Sequence, residues 1–274
     1  MHELETKAAE WNVTLDEIRE TPTSLIGLGV RDGVRVVLKI TKQVGDESHS
    51  GEVLKAYGGK GAVRVYESEP NAVLLERLVP GEQLVNLVRQ SRDDEATNIL
   101  AEVIAKLANH EAPIDCPTVT DWGRAFDRYL KSGDEQIPHE VVVEAREMYE
   151  ELASSQRQTM LLHGDLQHYN VLFDNERGWV AIDPKGVIGE LEYELSAALR
   201  NPIELPDVFA NPVTINRRLE TLTSKLNLDY SRALRWSYTQ SVLSAIWDIE
   251  DNHQLTPNNP SLLLANALKT NLLR

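Results

Sequence analysis

The stretch Leu161 to Gly186, LLHGDLQHYNVLFDNERGWVAIDPKG, constrains this chain more than any other. Two apolar runs, Val171 to Phe173 and Trp179 to Ile182, flank a polar turn, Asp174 to Gly178, and predict a β-hairpin. The hairpin carries polar residues at both ends. His163-Gly164-Asp165 and then Asn170 precede it, and Asp183 follows its second strand directly.

Phosphoryl transfer requires an acceptor for the attacking hydroxyl's proton and oxygen ligands for the Mg²⁺ that bridges the nucleotide's phosphates. Asp165 would be that base, and Asn170 and Asp183 the metal ligands. An Asp, four residues, an Asn and a short hairpin ending in Asp is the spacing of a kinase catalytic loop and its metal-binding Asp. Asp165 and Asn170 would also serve as plain turn formers. A transition-metal site on His163, Asp165 and His168 is a further alternative, but it accounts for neither Asn170 nor Asp183.

HGDLQHYN followed by IDPKG resembles the aminoglycoside phosphotransferases, and the PKG after the metal Asp is similar to their streptomycin 6-kinase and hydroxyurea-resistance kinase branch. Protein kinases fit less well, with Arg where Gly164 stands and Phe-Gly where Pro184-Lys185 stands. The resemblance implies an α+β, two-lobed, protein-kinase-like fold. Residues 1–80 would form a small β-rich nucleotide-binding lobe ending in a hinge, and 81–274 a helical lobe with the catalytic loop and substrate site. It also implies Mg²⁺ and ATP or GTP as cofactors, and a small cationic hydroxylated substrate, with a streptomycin-type aminocyclitol the best single choice. Kinases of choline, homoserine, methylthioribose or fructosamine are the first alternative. A nucleotide-binding regulator without turnover would be marked by loss of Asp165, Asn170, Lys39 or Asp183, and none is lost.

Composition narrows the classes further. A chain of 274 residues accommodates two lobes and a cleft, and 42% hydrophobic with 26% charged residues is ordinary for a globular protein. There is no run of about eighteen apolar residues and no signal-like start, so a cytoplasmic protein with no membrane partner is expected. The lone Cys116, between Asp115 and Pro117, has no activating base in sequence and no disulfide partner. A net charge of -15 would repel a phosphate backbone, which argues against nucleic acid as a partner, and would attract a cationic substrate. Acidity also serves solubility alone.

In the amino-terminal part, a polar helix ends near Asn12, and Val13 to Ile18 suits strand or helix equally. Leu25 to Val30 and Val34 to Ile40 are strands joined through Asp32-Gly33. Lys39, near the end of the second, resembles the strand lysine that contacts the α and β phosphates in kinases. The family pairs it with a helix Glu, for which Glu52 is the candidate and Glu47 the alternative. Gly27 and Gly29 lie too close to Lys39 to be a phosphate loop; Thr21 to Ser24 stands where that loop belongs, and Ser24 is its candidate contact. Strands near Ala62 to Glu67 and Ala72 to Leu78 lead to a hinge at Glu76 to Leu78 that would face the adenine edge, and Pro80-Gly81 would end the lobe.

Beyond Gly81 the apolar period becomes helical. A helix is expected from Ser91, with Asp94 completing a capping box, and others carry Trp122, Phe126 and Tyr129 or run from Pro138 to Leu152, all with core-facing stripes. A helix directly after Gly186 would bring Glu190, Glu192 and Glu194 beside the cleft. Helices near Pro212 to Leu226, Tyr230 to Asp251 and Ser261 to Leu272 follow, with Asn211 or Asp229 as N-caps. Trp247, Asp248, Glu250 and Asp251 resemble the carboxy-terminal segment of streptomycin-type kinases and would bind substrate together with Glu190 and Glu194.

Overall fold

A computed structural model describes residues 2–42, 50–113 and 115–272. The chain opens with α1 (His2–Glu10), β1 (Thr14–Glu20), β2 (Ser24–Arg31), β3 (Val34–Thr41), α2 (Ser50–Tyr57), β4 (Val65–Glu69) and β5 (Ala72–Glu76). The strands form one antiparallel sheet in the order β1-β2-β3-β5-β4. Val13 to Ile18, ambiguous in sequence, is therefore mostly strand. Asp32 and Gly33 both have positive φ (51° and 79°), as a two-residue hairpin turn with the twist of its strands requires.

Strand alternation sorts this sheet's two faces. Val36, Leu38 and Ile40 pack with Leu4, Ala8 and Trp11 of the α1 region in a small core, so Lys39 projects from the opposite face, toward the cleft. Gly27 and Gly29 let β1 lie close: a Cβ at Gly29 would stand 2.3 Å from the Thr14 carbonyl oxygen. The glycine pair is thus a packing device.

The chain continues with β6 (Pro80–Gln83), α3 (Val85–Arg89), α4 (Asp93–Leu107), α5 (Val119–Ser132), α6 (His139–Ser154), β7 (Met160–Leu162), β8 (Val171–Asp174), β9 (Gly178–Ala181) and β10 (Val187–Gly189) into a mainly helical second lobe. Then come α7 (Leu191–Arg200), α8 (Pro206–Phe209), α9 (Pro212–Leu226), α10 (Tyr230–Glu250) and α11 (Pro260–Leu272). The β8–β9 hairpin forms as expected, with Val171 opposite Ala181 and Asp174 opposite Gly178. Pro80 opens a strand instead of ending one, because β6 pairs with β8 and its missing N–H is tolerated at a strand's first residue.

Several local expectations fail for tertiary reasons. The helix expected from Ser91 begins at Asp93, and its N-cap, Arg92, makes no side-chain capping bond. Ser91 has φ 60°, outside the helical region, and Asp93 is drawn into a buried pair with Arg218 at 2.5 Å. Burial would raise the Asp93 carboxyl, but the Arg218 guanidinium holds it below its usual range. The segment after Gly186 is first a strand, β10, and only then a helix, since Val187 and Ile188 pair with Leu162 and Leu161 of β7. Asn211 and Asp229 do cap α9 and α10 through their side chains.

The long α10 runs through the helical core and is buried on nearly all sides. Ser237 and Ser241 satisfy their buried hydroxyls within the helix, donating to the carbonyls of Ala233 and Ser237 at 2.7 Å each. Among the described residues no helix is long and apolar enough to cross a membrane.

Candidate active site

The ladder between β7 and β10 sets Leu162 opposite Val187, so the residues after β7 and before β10 are forced together. The His163 carbonyl accepts the backbone N–H groups of Lys185 (2.9 Å) and Gly186 (3.0 Å). The loop after β7 and the segment after β9 are in this way stitched to each other. Gly186 has φ 78°, and a Cβ there would lie 2.3 Å from a Val53 methyl, so only glycine fits against α2.

Within the loop the groups around Asp165 are paired, whereas both ring nitrogens of the buried His168 have no hydrogen-bond partner. His163 Nε2 lies 2.8 Å from the Ile182 carbonyl, while the Asp165 N–H donates to Nδ1 at 3.3 Å, an arrangement for a neutral imidazole with its proton on Nε2. Burial lowers the His163 pKa and keeps it in that form. Asn170 Nδ2 donates to the Asp165 carbonyl (2.9 Å) and to its carboxylate (3.2 Å), leaving the amide Oδ1 as the atom for a cation. Ile182 N donates to the Asn170 carbonyl at 2.9 Å and fixes Asp183 alongside. Asp183 takes φ 57°, a conformation that costs a non-glycine residue energy and aims its carboxylate differently from a strand continuation.

Lys39 meets Asp183, with 2.5 Å between Nζ and Oδ1. Glu52 was the expected partner of Lys39; instead it is exposed on α2 and bonds Lys55 (2.8 Å) and Ser68 (3.4 Å). A helix Glu followed three residues later by Lys satisfies itself locally. Glu47, the alternative, lies outside the described residues.

A cavity of about 560 Å³ lies between the sheet and the second lobe, lined by Ile26, Leu28, Val37, Lys39, Leu75, Glu76, Leu78, Leu172 and Asp183 among others. Apolar walls ending in a Lys–Asp pair suit a heterocycle with phosphates at one end. Glu76 lines it, but its carboxylate accepts Arg64 N (2.8 Å) and pairs with Arg177, so the backbone around Leu78 is what a base edge would meet. Ser24, the first residue of β2, is buried and is not among the residues that line this cavity. Arg19 of β1 lines the cavity too, a residue with no sequence signal beyond its strand.

A second cavity, of about 380 Å³, is lined by Asp121, Trp122, Arg128, Lys185, Trp247, Glu250 and Asp251. Trp122 and Trp247 meet edge to face with centroids 5.3 Å apart. Arg128 clamps Glu250 through two bonds, 2.7 and 2.9 Å. Trp247 and Glu250, expected from the sequence to bind substrate, both line this cavity. Trp122, read as core, is a cavity wall; Asp121, Arg128 and Lys185 carried no substrate signal. The segment 182–185 serves both cavities, Asp183 facing the first and Lys185 the second.

The other acids expected in the cleft are structural. Glu190 is 2% exposed, bonding Arg232 and the indole N–H of Trp236. Glu192 and Glu194 are buried as well, and Glu194 accepts the N–H groups of Gly164 and Leu166 under the loop. Asp248 turns toward α11 and accepts from Asn259 Nδ2 at 2.8 Å. These acids sit on helices whose inward faces meet other buried donors, which one-dimensional charge patterns do not reveal.

The transition-metal alternative has no geometry. Both ring nitrogens of His163 are engaged, His168 is buried with its pKa pushed down to about 3 by desolvation and Arg218, and among the described residues no three His, Cys, Asp or Glu converge on a metal position. Oxygen donors on Asn170 and Asp183 fit a hard cation such as Mg²⁺. Cys116 is buried, and its thiol is pushed up to about 11, so it is no nucleophile at neutral pH.

A family model described as aminoglycoside/hydroxyurea antibiotic resistance kinase matches residues 10–252. A streptomycin 3''-kinase from Klebsiella pneumoniae is 30% identical, covering 96% of this chain and 98% of its own. A streptomycin 6-kinase from Streptomyces glaucescens is 30% identical, covering 94% and 86%. Among solved structures, a thermostable mutant of aminoglycoside phosphotransferase APH(4)-Ia with ADP and hygromycin B superposes with TM-score 0.67 at 14% identity, over 100% of this chain and 98% of that one. Choline kinase LicA from Streptococcus pneumoniae gives TM-score 0.66, also at 14% identity, over 98% and 100%. At such identity these two establish the protein-kinase-like fold.

Proposed function

The chain belongs to the aminoglycoside/hydroxyurea antibiotic resistance kinase family, and on that premise we propose that it transfers the γ-phosphoryl group of ATP or GTP to a hydroxyl of a small cationic molecule of streptomycin type. It is a phosphotransferase with an alcohol acceptor. The observation that carries the finer reading is the placement of Asp165, Asn170, Asp183 and Lys39 around one segment that faces both cavities. We take the first cavity for the nucleotide and the second for the acceptor, with the lobe boundary at about residue 80 and action in the cytoplasm.

Asp165 accepts the proton of the attacking hydroxyl, its backbone pinned by His163 and one carboxylate oxygen held by Asn170. Lys39 holds the α and β phosphates. Asn170 Oδ1 and the Asp183 carboxylate would hold Mg²⁺, which when bound neutralises charge on the nucleotide's phosphates. The apolar walls around Leu28, Val37 and Leu172 exclude water from the donor's base. Asp121, Glu250 and Asp251 lend the second cavity the acidity that a guanidinium or ammonium substrate requires.

One observation favours a second reading. The edge-to-face pair Trp122 and Trp247 offers π surface, which also suits a quaternary ammonium such as choline. Nucleotide consumption by purified protein against streptomycin, other aminoglycosides, choline and neutral polyols separates the two: turnover with streptomycin supports the first, turnover with choline alone the second, and none with any alcohol refutes both.

A further inference from the structure

Lys185 stands out among the cations of the second cavity. Three carboxylates line the same cavity, Asp121, Glu250 and Asp251, yet among the described residues none lies within ion-pair distance of its ammonium. Asp121 is engaged by Thr118 in a capping box and by Arg124, and Glu250 by Arg128. The Lys185 Nζ rests instead over the Trp247 ring, 5.9 Å from its centroid. Lys185 is partly buried, and an ammonium beside an aromatic face with no carboxylate within ion-pair distance keeps N–H donors to offer an anion.

The backbone around Lys185 is rigidly placed. Its N–H donates to the His163 carbonyl at 2.9 Å, two residues from Asp165, and Asp183 precedes it by two residues with Pro184 between. The anion that comes to this spot in the proposed reaction is the phosphoryl group on its way from nucleotide to acceptor. We propose that Lys185 is a catalytic residue that binds the oxygens of the transferring phosphoryl group from the acceptor side, opposite Lys39 and the Asp183 carboxylate; this rests on the phosphoryl-transfer reading above. The acceptor oxygen forms its bond to the γ-phosphorus, the bond from that phosphorus to the bridging oxygen of the departing diphosphate breaks, and the hydroxyl proton goes to Asp165. Lys185 keeps its protons throughout and donates N–H bonds to the equatorial oxygens, where charge resides in the transition state.

The test compares wild type, Lys185→Met and Lys185→Arg in steady-state assays with ATP and Mg²⁺, using the acceptor identified by the substrate panel. Losing one preorganised donor at developing charge lowers kcat by about 10²–10³. Lys185→Met should therefore show that loss with ATP KM within about threefold of wild type, and Lys185→Arg, which restores a cation, should recover part of kcat. Thermal unfolding of each variant near the wild-type temperature separates this from misfolding. Unchanged kcat in Lys185→Met, with or without a lower KM for a cationic acceptor, overturns the proposal and leaves the kinase reading standing; a lower KM would mark Lys185 as a gate against excess positive charge. Equal kcat loss in Met and Arg variants with both unfolding early also overturns it in favour of a structural role. A wild-type protein that transfers phosphate to no alcohol overturns the kinase reading itself, and this inference with it.

Discussion

The carboxylate of Glu194 lies beneath the backbone of Gly164, whose N–H it accepts at 3.2 Å, and the N–H of Leu166 points to the same oxygen at 3.4 Å. A helix residue of α7 thereby supports the loop that carries Asp165. Burial pushes the Glu194 carboxyl up to about 8 against the pull of these N–H bonds, and the nearby Asp165 charge adds to the rise.

A pH dependence of stability follows. Above pH 4.5 the unfolded chain has released this proton, while the folded chain keeps it to about pH 8. The unfolded state then binds fewer protons, so the contribution is full below pH 4.5 and is lost as pH rises through 8. Glu194→Gln keeps a neutral acceptor and should flatten that slope. Urea midpoints of both proteins at pH 5 and pH 8 check it, and equal slopes would place the titration elsewhere.

Asp165→Asn should lower kcat by about 10² or more, the usual range for a positioned acid or base. ATP affinity should change little, because Asp165 does not line the first cavity, the one proposed for the nucleotide. Single-turnover kinetics with pre-bound nucleotide isolates the step, and normal turnover in this variant would remove Asp165 from the role.

Asp183→Ala removes both a partner of Lys39 and the proposed carboxylate ligand. Nucleotide affinity measured by calorimetry should lose its Mg²⁺ dependence, and turnover should vanish with it. Affinity that still rises with Mg²⁺ would mean the ligands lie on other residues.

Glu190 gives the opposite kind of forecast. With Arg232 and Trp236 as partners and almost no exposure, its removal strands a buried guanidinium. Glu190→Ala should destabilise the fold by about 3–5 kcal/mol, the usual cost of breaking a buried pair. Thermal unfolding reads this directly. Acceptor KM in the folded fraction should be unchanged; a selective KM rise in a stable protein would return Glu190 to the substrate site.

The parts legible in the sequence were those set by short-range rules. The β8–β9 hairpin, the Asp32-Gly33 turn and the caps at Asn211 and Asp229 all depend on residues a few positions apart. What was hidden depends on distant chain segments. Ser91 lost its helix start because Arg217 and Arg218, far along the chain, recruit Asp93. Glu190 and Glu194 looked like cleft acids because nothing nearby in sequence shows the donors they serve. Lys185 was visible only as a letter in IDPKG, since its place over Trp247 needs α10 to return to the site.

Two acids in the last turn of α10 now separate where the sequence grouped them. Glu250 lines the second cavity, locked to Arg128, whereas Asp248 faces α11 and Asn259. If the acceptor is cationic, Glu250→Gln should raise its KM with little change in kcat, because binding lost equally from ground and transition states appears in KM. The Glu250 and Arg128 side chains are 34% and 57% exposed, so solvent screens the charge and its worth to a bound cation is under about 1 kcal/mol, which is a KM rise of less than about fivefold. Asp248→Asn should leave acceptor KM alone and lower the unfolding temperature slightly through the lost Asn259 contact. Nucleotide KM should hold in both. Acceptor KM in wild type should also rise with added salt, as screening confines the cavity's field to about 8 Å at physiological ionic strength. A panel in which only neutral or anionic alcohols turn over, with salt-independent KM, would refute the cationic acceptor while leaving phosphoryl transfer at Asp165 intact.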